Sequence, residues 1–379
     1  MRNTQILIIG AGPFGLSLAA YARQKGLECL VVGQPFQFWI KNMPTGMYLR
    51  SGIDWHLDPK DEYTLERFVD EARITEYSPL PIGVYLQYLE WFVARTQPEI
   101  HPAHVESLRL EPPGFVAQLD DGSSVWAQQV VVATGFEPFA CFPDELLRLL
   151  PAGRFSHTCH SVDPVQFAGR RVLVIGGRQS AFEMAALMQE SGARQIDLTY
   201  RHDTPRFTAA DWSWVKKLIE QVEQNPAWFS HLDAAEKEEY RYRFWAEGRL
   251  KIEPWLADRI SKPNVNLHPN TALTACQVLP DNSLQLTLNN RQTLTADHVL
   301  LATGYKAQLS NLAFLDEQLL RQIDTRNGYP ALDPNFQSSV QGLYFSSFLA
   351  TQDFGPFMAF TVSATMAARV IGRALAWSI

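Results

Sequence analysis

The chain predicts an α/β fold of two nested parallel-sheet units, and three observations carry that reading. Gly10-Ala11-Gly12-Pro13-Phe14-Gly15 follows directly on the apolar run Ile6-Leu7-Ile8-Ile9. Gly176-Gly177-Arg178-Gln179-Ser180-Ala181 follows Val172-Leu173-Val174-Ile175 in the same way. Each unit then runs to a strand that ends in Ala-Thr-Gly, at Ala133-Thr134-Gly135 and again at Ala302-Thr303-Gly304. A short apolar run before a glycine turn reads as a strand buried on both faces that feeds a helix. Two such turns fit two Rossmann-like units with a helical insertion, holding two dinucleotides face to face.

Element by element, residues 5–33 read as strand, turn, helix and strand, with Leu16, Ala19 and Ala20 on one helical face. Residues 85–95 have the spacing of an amphipathic helix. Phe115–Leu119 and Val125–Ala133 alternate as strands around Asp121-Gly122, a hairpin turn signal. The second strand–helix–strand unit runs from Arg171 to Arg201. Residues 205–260 break the pattern, being helical, charged and crowded with aromatics. Strands resume near Val265, at Leu284–Leu288 and at Val299–Leu301, and a helix rich in small residues closes the chain. This order implies nesting: residues 1–150 with 295–379 form the first unit, and 151–294 form the second, which carries the insert at 205–260.

Composition narrows the function. With 46% hydrophobic and 19% charged residues, the chain reads as a soluble globular protein. A formal net charge of −7 argues against nucleic acid as the partner. Cys29, Cys141, Cys159 and Cys276 are scattered with no CxxC pair, so no dithiol centre, zinc site or other metal site is expected. No apolar stretch reaches membrane-spanning length, and with the first strand beginning close to Met1 no signal peptide is expected. The cytoplasm is the expected compartment, and homo-oligomerisation stays open.

In the first fingerprint, Gly10 permits the tight turn, Gly12 lets the backbone approach a pyrophosphate, and Gly15 lets helix pack on strand. Free amides at the helix start, around Pro13 and Phe14, then face the phosphates. The acid expected at the end of the next strand is absent; Gln34 stands there, either accepting ribose bonds or simply exposed. In the second fingerprint, Gly176 is kept but Arg178 replaces the middle glycine. Either Arg178 swings out to grip a phosphate, beside Gln179 and Ser180, or the site binds nicotinamide weakly or not at all. Arg201, at the next strand end, favours a 2′-phosphate over a bare ribose, or is a solvated charge.

At this point the chain resembles the class B flavin-dependent monooxygenases, the group of flavin-containing monooxygenases, Baeyer–Villiger enzymes and siderophore N-hydroxylases. Asp297-His298-Val299-Leu300-Leu301-Ala302-Thr303-Gly304-Tyr305 matches that family's Asp-x3-Leu-Ala-Thr-Gly-Tyr stretch. Trp39 resembles the tryptophan that closes its first pattern, without the glycine pair before it. Gly153-Arg154-Phe155-Ser156-His157 resembles the core of its linker motif, although Pro151 and Ser161 stand where aromatics belong. His157 is then a structural or a catalytic histidine. The resemblance implies FAD on the first fingerprint and NADPH, or NADH, on the second. It implies O₂ and a small-molecule substrate as partners. It also implies a C4a-hydroperoxyflavin that passes oxygen to a nitrogen or sulfur nucleophile. The competing readings are an NAD(P)H-dependent flavin oxidase without oxygen transfer and a non-catalytic flavin-binding protein.

By the same resemblance, the loop at 43–59 runs past the flavin, so Arg50 and Ser51 are expected against cofactor or substrate, and Trp55 and His56 in the pocket wall. Thr134, Gly135, Thr303 and Gly304 are expected where strands meet cofactor, and Asp353, Phe354 and Gly355 at a helix start facing the flavin. Trp212 and Trp214 are the insert residues expected to face substrate, the alternatives being a small helical core or a dimer surface.

Overall fold

A computed structural model describes residues 1–160 and 162–377; Ser161 lies outside them. The first sheet runs in the order Ile100–His101, Cys29–Val32, Arg2–Ile9, Ser124–Val132, Gly114–Leu119, Val105–Glu111. Its first four strands are parallel, and the last two form an antiparallel hairpin edge. Leu343–Phe345 returns from far along the chain to pair in parallel with Val130–Val132. The register brings Ile9, Val32, Val132 and Phe345 level. The four carboxyl ends therefore form one rim, where open α/β sheets place their ligands.

The second sheet has the order Val265–Pro269, Gln195–Tyr200, Arg171–Ile175, His298–Leu301, Phe155–His157, all parallel. Ile175, Thr199 and Leu301 end level and make the second rim. Because His298–Leu301 pairs inside this sheet, the chain returns to the first unit beyond it, not at residue 295. An antiparallel three-stranded layer, Leu273–Val278, Leu284–Leu288 and Thr293–Ala296, covers one face through Leu284, Leu286 and Ala296.

Ile6, Leu7, Ile8, Val172, Leu173 and Val174 are buried as continuous runs, which parallel strands covered on both faces require. The helix Pro13–Gln24 packs on the C-terminal helix Ala364–Trp377, where Gly372 lies so close to Tyr21 that a Cβ would stand 2.2 Å from its ring.

The insert holds Val215–Gln224, Trp228–His231 and Ala234–Arg249, with its ends pinned by a short parallel pair, Arg206–Phe207 with Lys251–Ile252. It belongs to the second unit in sequence but packs on the first. Val215, Leu218, Ile219, Val222 and Phe244 join the first unit's core, while Ile252, Leu256 and Ile260 stay with the second. Arg369 on the C-terminal helix donates to Glu223 at 2.9 Å and reinforces that contact. The insert thus bridges the two rims.

Candidate functional site

Both rims open into a single cavity of about 820 Å³, within the range of cofactor and substrate sites. The two glycine turns that border it use the same geometry. Gly10 (φ +116°) and Gly176 (φ +147°) sit where a Cβ would stand 2.4 Å and 2.5 Å from the carbonyl oxygens of Ala133 and Ala302. Glycine is obligatory at both, on space and on backbone conformation. Gly15 and Gly176 do their work from behind the wall: Gly15 lets the first turn of its helix rest on the Gly10 carbonyl, at 2.0 Å from a notional Cβ.

Gly12 differs, because nothing lies within 4 Å of a Cβ built there. The fold does not need glycine at that position; only a ligand on the helix start would. Thr134 Oγ1 and Gln37 Oε1 are buried without a partner in the same part of the cavity wall. Open first-turn amides and a bare backbone fit the pyrophosphate of a dinucleotide cofactor, and the orphaned amide oxygen of Gln37 can accept only from a donor such as one of its hydroxyl groups. Gly10, Pro13, Phe14, Trp39, Ser51 and Gly135 also line this half. Gln34 lines it too, with Nε2 donating to the Pro102 carbonyl at 2.5 Å.

Arg178 has the same extended backbone (φ −118°, ψ −177°) as Gly12 (φ −92°, ψ −173°). Its side chain does not stand free for a phosphate: it donates to the Arg249 carbonyl and lies 5.5 Å from the Trp245 ring. Arg50 does the parallel job from the other unit. It donates to the carbonyls of Gly248 (3.0 Å) and Glu247 (3.1 Å) and pairs with buried Glu253 at 2.7 Å. The last carbonyls of the helix Ala234–Arg249 are therefore capped by two arginines, one from each unit, as the negative end of a helix favours. Gln179 Oε1 accepts from the Glu253 amide, and Ser180 is exposed to the cavity.

The same cavity has an aromatic wall. Trp55 meets Trp212 at 6.5 Å and Phe360 at 6.1 Å, and Phe360 stacks on Phe244 at 6.0 Å. Gly304 and Tyr305 complete the floor.

Other expected residues lie elsewhere, each for a visible reason. His56 does not line the cavity; it faces Asp61 at 3.3 Å, and burial pushes its imidazole below the usual range. Trp214 turns away, with Nε1 donating to the Asp211 carbonyl and the Arg243 guanidinium 3.9 Å from its ring. Thr303 donates to the Cys141 carbonyl. Arg201 is exposed and outside the cavity. Asp353 accepts from Arg326 (2.7 Å) and the Leu332 amide (2.9 Å), and Phe354 stacks on Phe336 at 3.6 Å. With Gly355, both support the residues that do reach the cavity, Pro356 and Ala359–Thr361. His157 is buried, its Nδ1 accepts from the Cys159 amide at 3.1 Å, and burial followed by His160 holds it down at about 4. It packs beside Tyr305 and does not line the cavity.

Sequence reasoning saw aromatics in the insert but did not single out the cavity face of its helix, made by Arg241, Phe244, Trp245, Gly248 and Arg249. Their i, i+3, i+4, i+7, i+8 spacing was the available signal. Phe136, Tyr329 and Phe348 also line the cavity and carry no motif. Among the described residues no helix is long and apolar enough to cross a membrane, and no cluster of His, Cys, Asp or Glu could hold a metal ion.

Comparison with known proteins agrees with this geometry. The family of pyridine nucleotide-disulphide oxidoreductases matches residues 4–346. A FAD-dependent urate hydroxylase from Xanthomonas campestris pv. campestris is 30% identical over 128 residues, 32% of this chain and 27% of that protein. A ferredoxin–NADP reductase from Chloroherpeton thalassium is 29% identical over 227 residues, 59% of this chain and 57% of that protein. The chain thus matches between a quarter and three-fifths of the length of these curated relatives. In structure it is similar to an ornithine N-hydroxylase from Kutzneria sp. 744, in complex with reduced FAD, NADP⁺ and L-ornithine. The TM-score is 0.81 at 15% identity, over 99% of both chains.

Proposed function

Because the chain belongs to the pyridine nucleotide-disulphide oxidoreductase family, we propose that it is an FAD-dependent, NADPH-reduced monooxygenase acting on a small nitrogen or sulfur nucleophile. The observation that carries this reading is the single cavity shared by both glycine turns and lined by no cysteine among the described residues. A disulfide-exchanging enzyme needs a reactive cysteine thiol beside its flavin. Here the four free cysteines are separate, and burial raises the thiols of Cys29, Cys159 and Cys276 above the reactive range.

Bound FAD would supply the hydride acceptor and the reaction with O₂. The chain's own residues supply position and dryness. The helix start at Gly12–Phe14 would hold the pyrophosphate, with the Thr134 hydroxyl and the Gln37 amide oxygen as further polar contacts to the rest of the cofactor. Gln179, Ser180 and the helix start behind Arg178 receive the nicotinamide dinucleotide. Trp55, Trp212, Phe244 and Phe360 exclude water from the reacting centre. No side-chain nucleophile is needed for this chemistry.

The test is turnover of the FAD-loaded protein with NADPH and O₂ against a panel of amines and thioethers. Oxygenated product with little free peroxide is the expected result. Stoichiometric peroxide with every compound would overturn oxygen transfer and leave the second reading, a flavin reductase or oxidase, which the similarity to ferredoxin–NADP reductases favours.

A further inference from the structure

The net charge of the protein is −7, yet its cavity is cationic. Arg50, Arg178, Arg241 and Arg249 line it against one acid, Glu137. Two of those arginines are committed. Arg50 and Arg178 hold the end of the insert helix through Glu253 and three main-chain carbonyls. Arg249, the last residue of that helix, has no such duty. Its Nη1 lies over the end of the second sheet, 4.0 Å from a Cβ built on Gly304. No carboxylate among the described residues is within salt-bridge distance of it, and the charges that act on it are the like charges of Arg50 and Arg178. Burial and those like charges disfavour its guanidinium charge, so an anion placed there is favoured on both counts.

The surroundings indicate what that anion is attached to. Gly248, the residue before Arg249, lies against Trp212, where a Cβ would stand 3.5 Å from the indole. Trp212 continues into the aromatic wall through Phe360 at 5.4 Å. Two turns up the helix, Arg241 faces the same cavity and adds to its field. We propose that Arg249 is the receptor for a carboxylate on the substrate, so that the substrate is an anionic small molecule with an apolar body. This rests on the monooxygenase reading for the word substrate, and deepens it. A guanidinium forks onto a carboxylate with two parallel hydrogen bonds, while the aromatic wall takes the remainder.

The test is equilibrium titration of the FAD-loaded protein with phenylacetate and with its neutral isostere phenylacetamide, followed by perturbation of the flavin spectrum. The wild type is expected to bind the acid about tenfold more tightly than the amide. Arg249→Gln is expected to remove that preference and leave amide binding as it was; Arg249→Lys is expected to keep part of it. Equal binding of acid and amide by the wild type, or an unchanged preference in Arg249→Gln, overturns the proposal. So does a variant whose only loss is in the NADPH concentration that half-saturates flavin reduction, since the arginine then serves a cofactor phosphate. Should Arg249→Gln fail to fold, loss of the acid's advantage in wild type as salt is raised supports the proposal, and a salt-independent advantage overturns it. The titration involves no turnover, so failure of NADPH to reduce the flavin would sink the proposed activity and leave this result standing.

Discussion

Gly10 and Gly12 stand two residues apart in one turn and answer to different demands. Gly10 serves the fold, being held at φ +116° against the Ala133 carbonyl. Gly10→Ala should cost about 2–4 kcal/mol in urea denaturation. Gly12 has open space where a side chain would go, so Gly12→Ala should leave stability within about 0.5 kcal/mol. On the proposed cofactor site it should nevertheless weaken FAD binding by about tenfold or more in a flavin titration, because the added methyl would sit where the pyrophosphate has to approach. Equal effects of the two variants on stability would contradict this division of labour. His157 gives a prediction in pH. Its folded value, about 4, lies below that of an unfolded histidine, so the unfolded chain binds the extra proton first as pH falls. Its contribution is nil above about pH 6.5 and grows as a destabilisation toward pH 4, where it reaches about 3 kcal/mol. His157→Gln should flatten the fall in Tm over that window; an unchanged slope would assign the acid sensitivity elsewhere. The glycine roles were legible in sequence because they follow from backbone geometry. That of Arg178 was not, because the expectation weighed a ligand's approach and not the carbonyls of a helix seventy residues on in the chain.

The insert helix Ala234–Arg249 is held where it is by cations at its end. Arg178→Gly removes a charged hydrogen bond to a carbonyl and the contact with Trp245, and should cost about 1–3 kcal/mol. Hydrogen exchange should rise in the last turn of this helix and stay unchanged in the fingerprint helix Gln179–Glu190. Unchanged exchange in the insert would refute the cap. Arg50→Ala should cost more, about 3–5 kcal/mol, since it leaves buried Glu253 without its ion partner. Measured alone and with Glu253→Gln, the pair should recover part of that loss; strict additivity would mean the ion pair contributes nothing. The helical, aromatic character of the insert could be read from residues 205–260, and so could its nearness to a pocket. Which aromatics face inward could not. Trp212 and Trp214 are nearly equivalent in sequence, but only Trp212 packs on Phe360, while Trp214 is turned toward Arg243.

At the scale of the molecule, two sheets present their carboxyl ends to one cavity, and an insert from the second unit closes over both. The nesting was legible because strand, glycine turn and Ala-Thr-Gly ending repeat twice along the chain. The C-terminal contacts were displaced by a few residues from expectation: Asp353 and Phe354 became supports, and Pro356 and Ala359–Thr361 took the cavity positions. A helix start is visible in sequence, but which of its neighbours reaches a ligand depends on how the following turn is packed. The proposed function makes one demand above the others: a nicotinamide bound at the second turn would have to reduce a flavin bound at the first. Anaerobic mixing of the FAD-loaded protein with NADPH in a stopped-flow spectrophotometer tests this directly. The oxidised-flavin absorbance should bleach with a rate that saturates in NADPH concentration. Flavin that binds but stays oxidised at all NADPH concentrations would contradict the account at its centre.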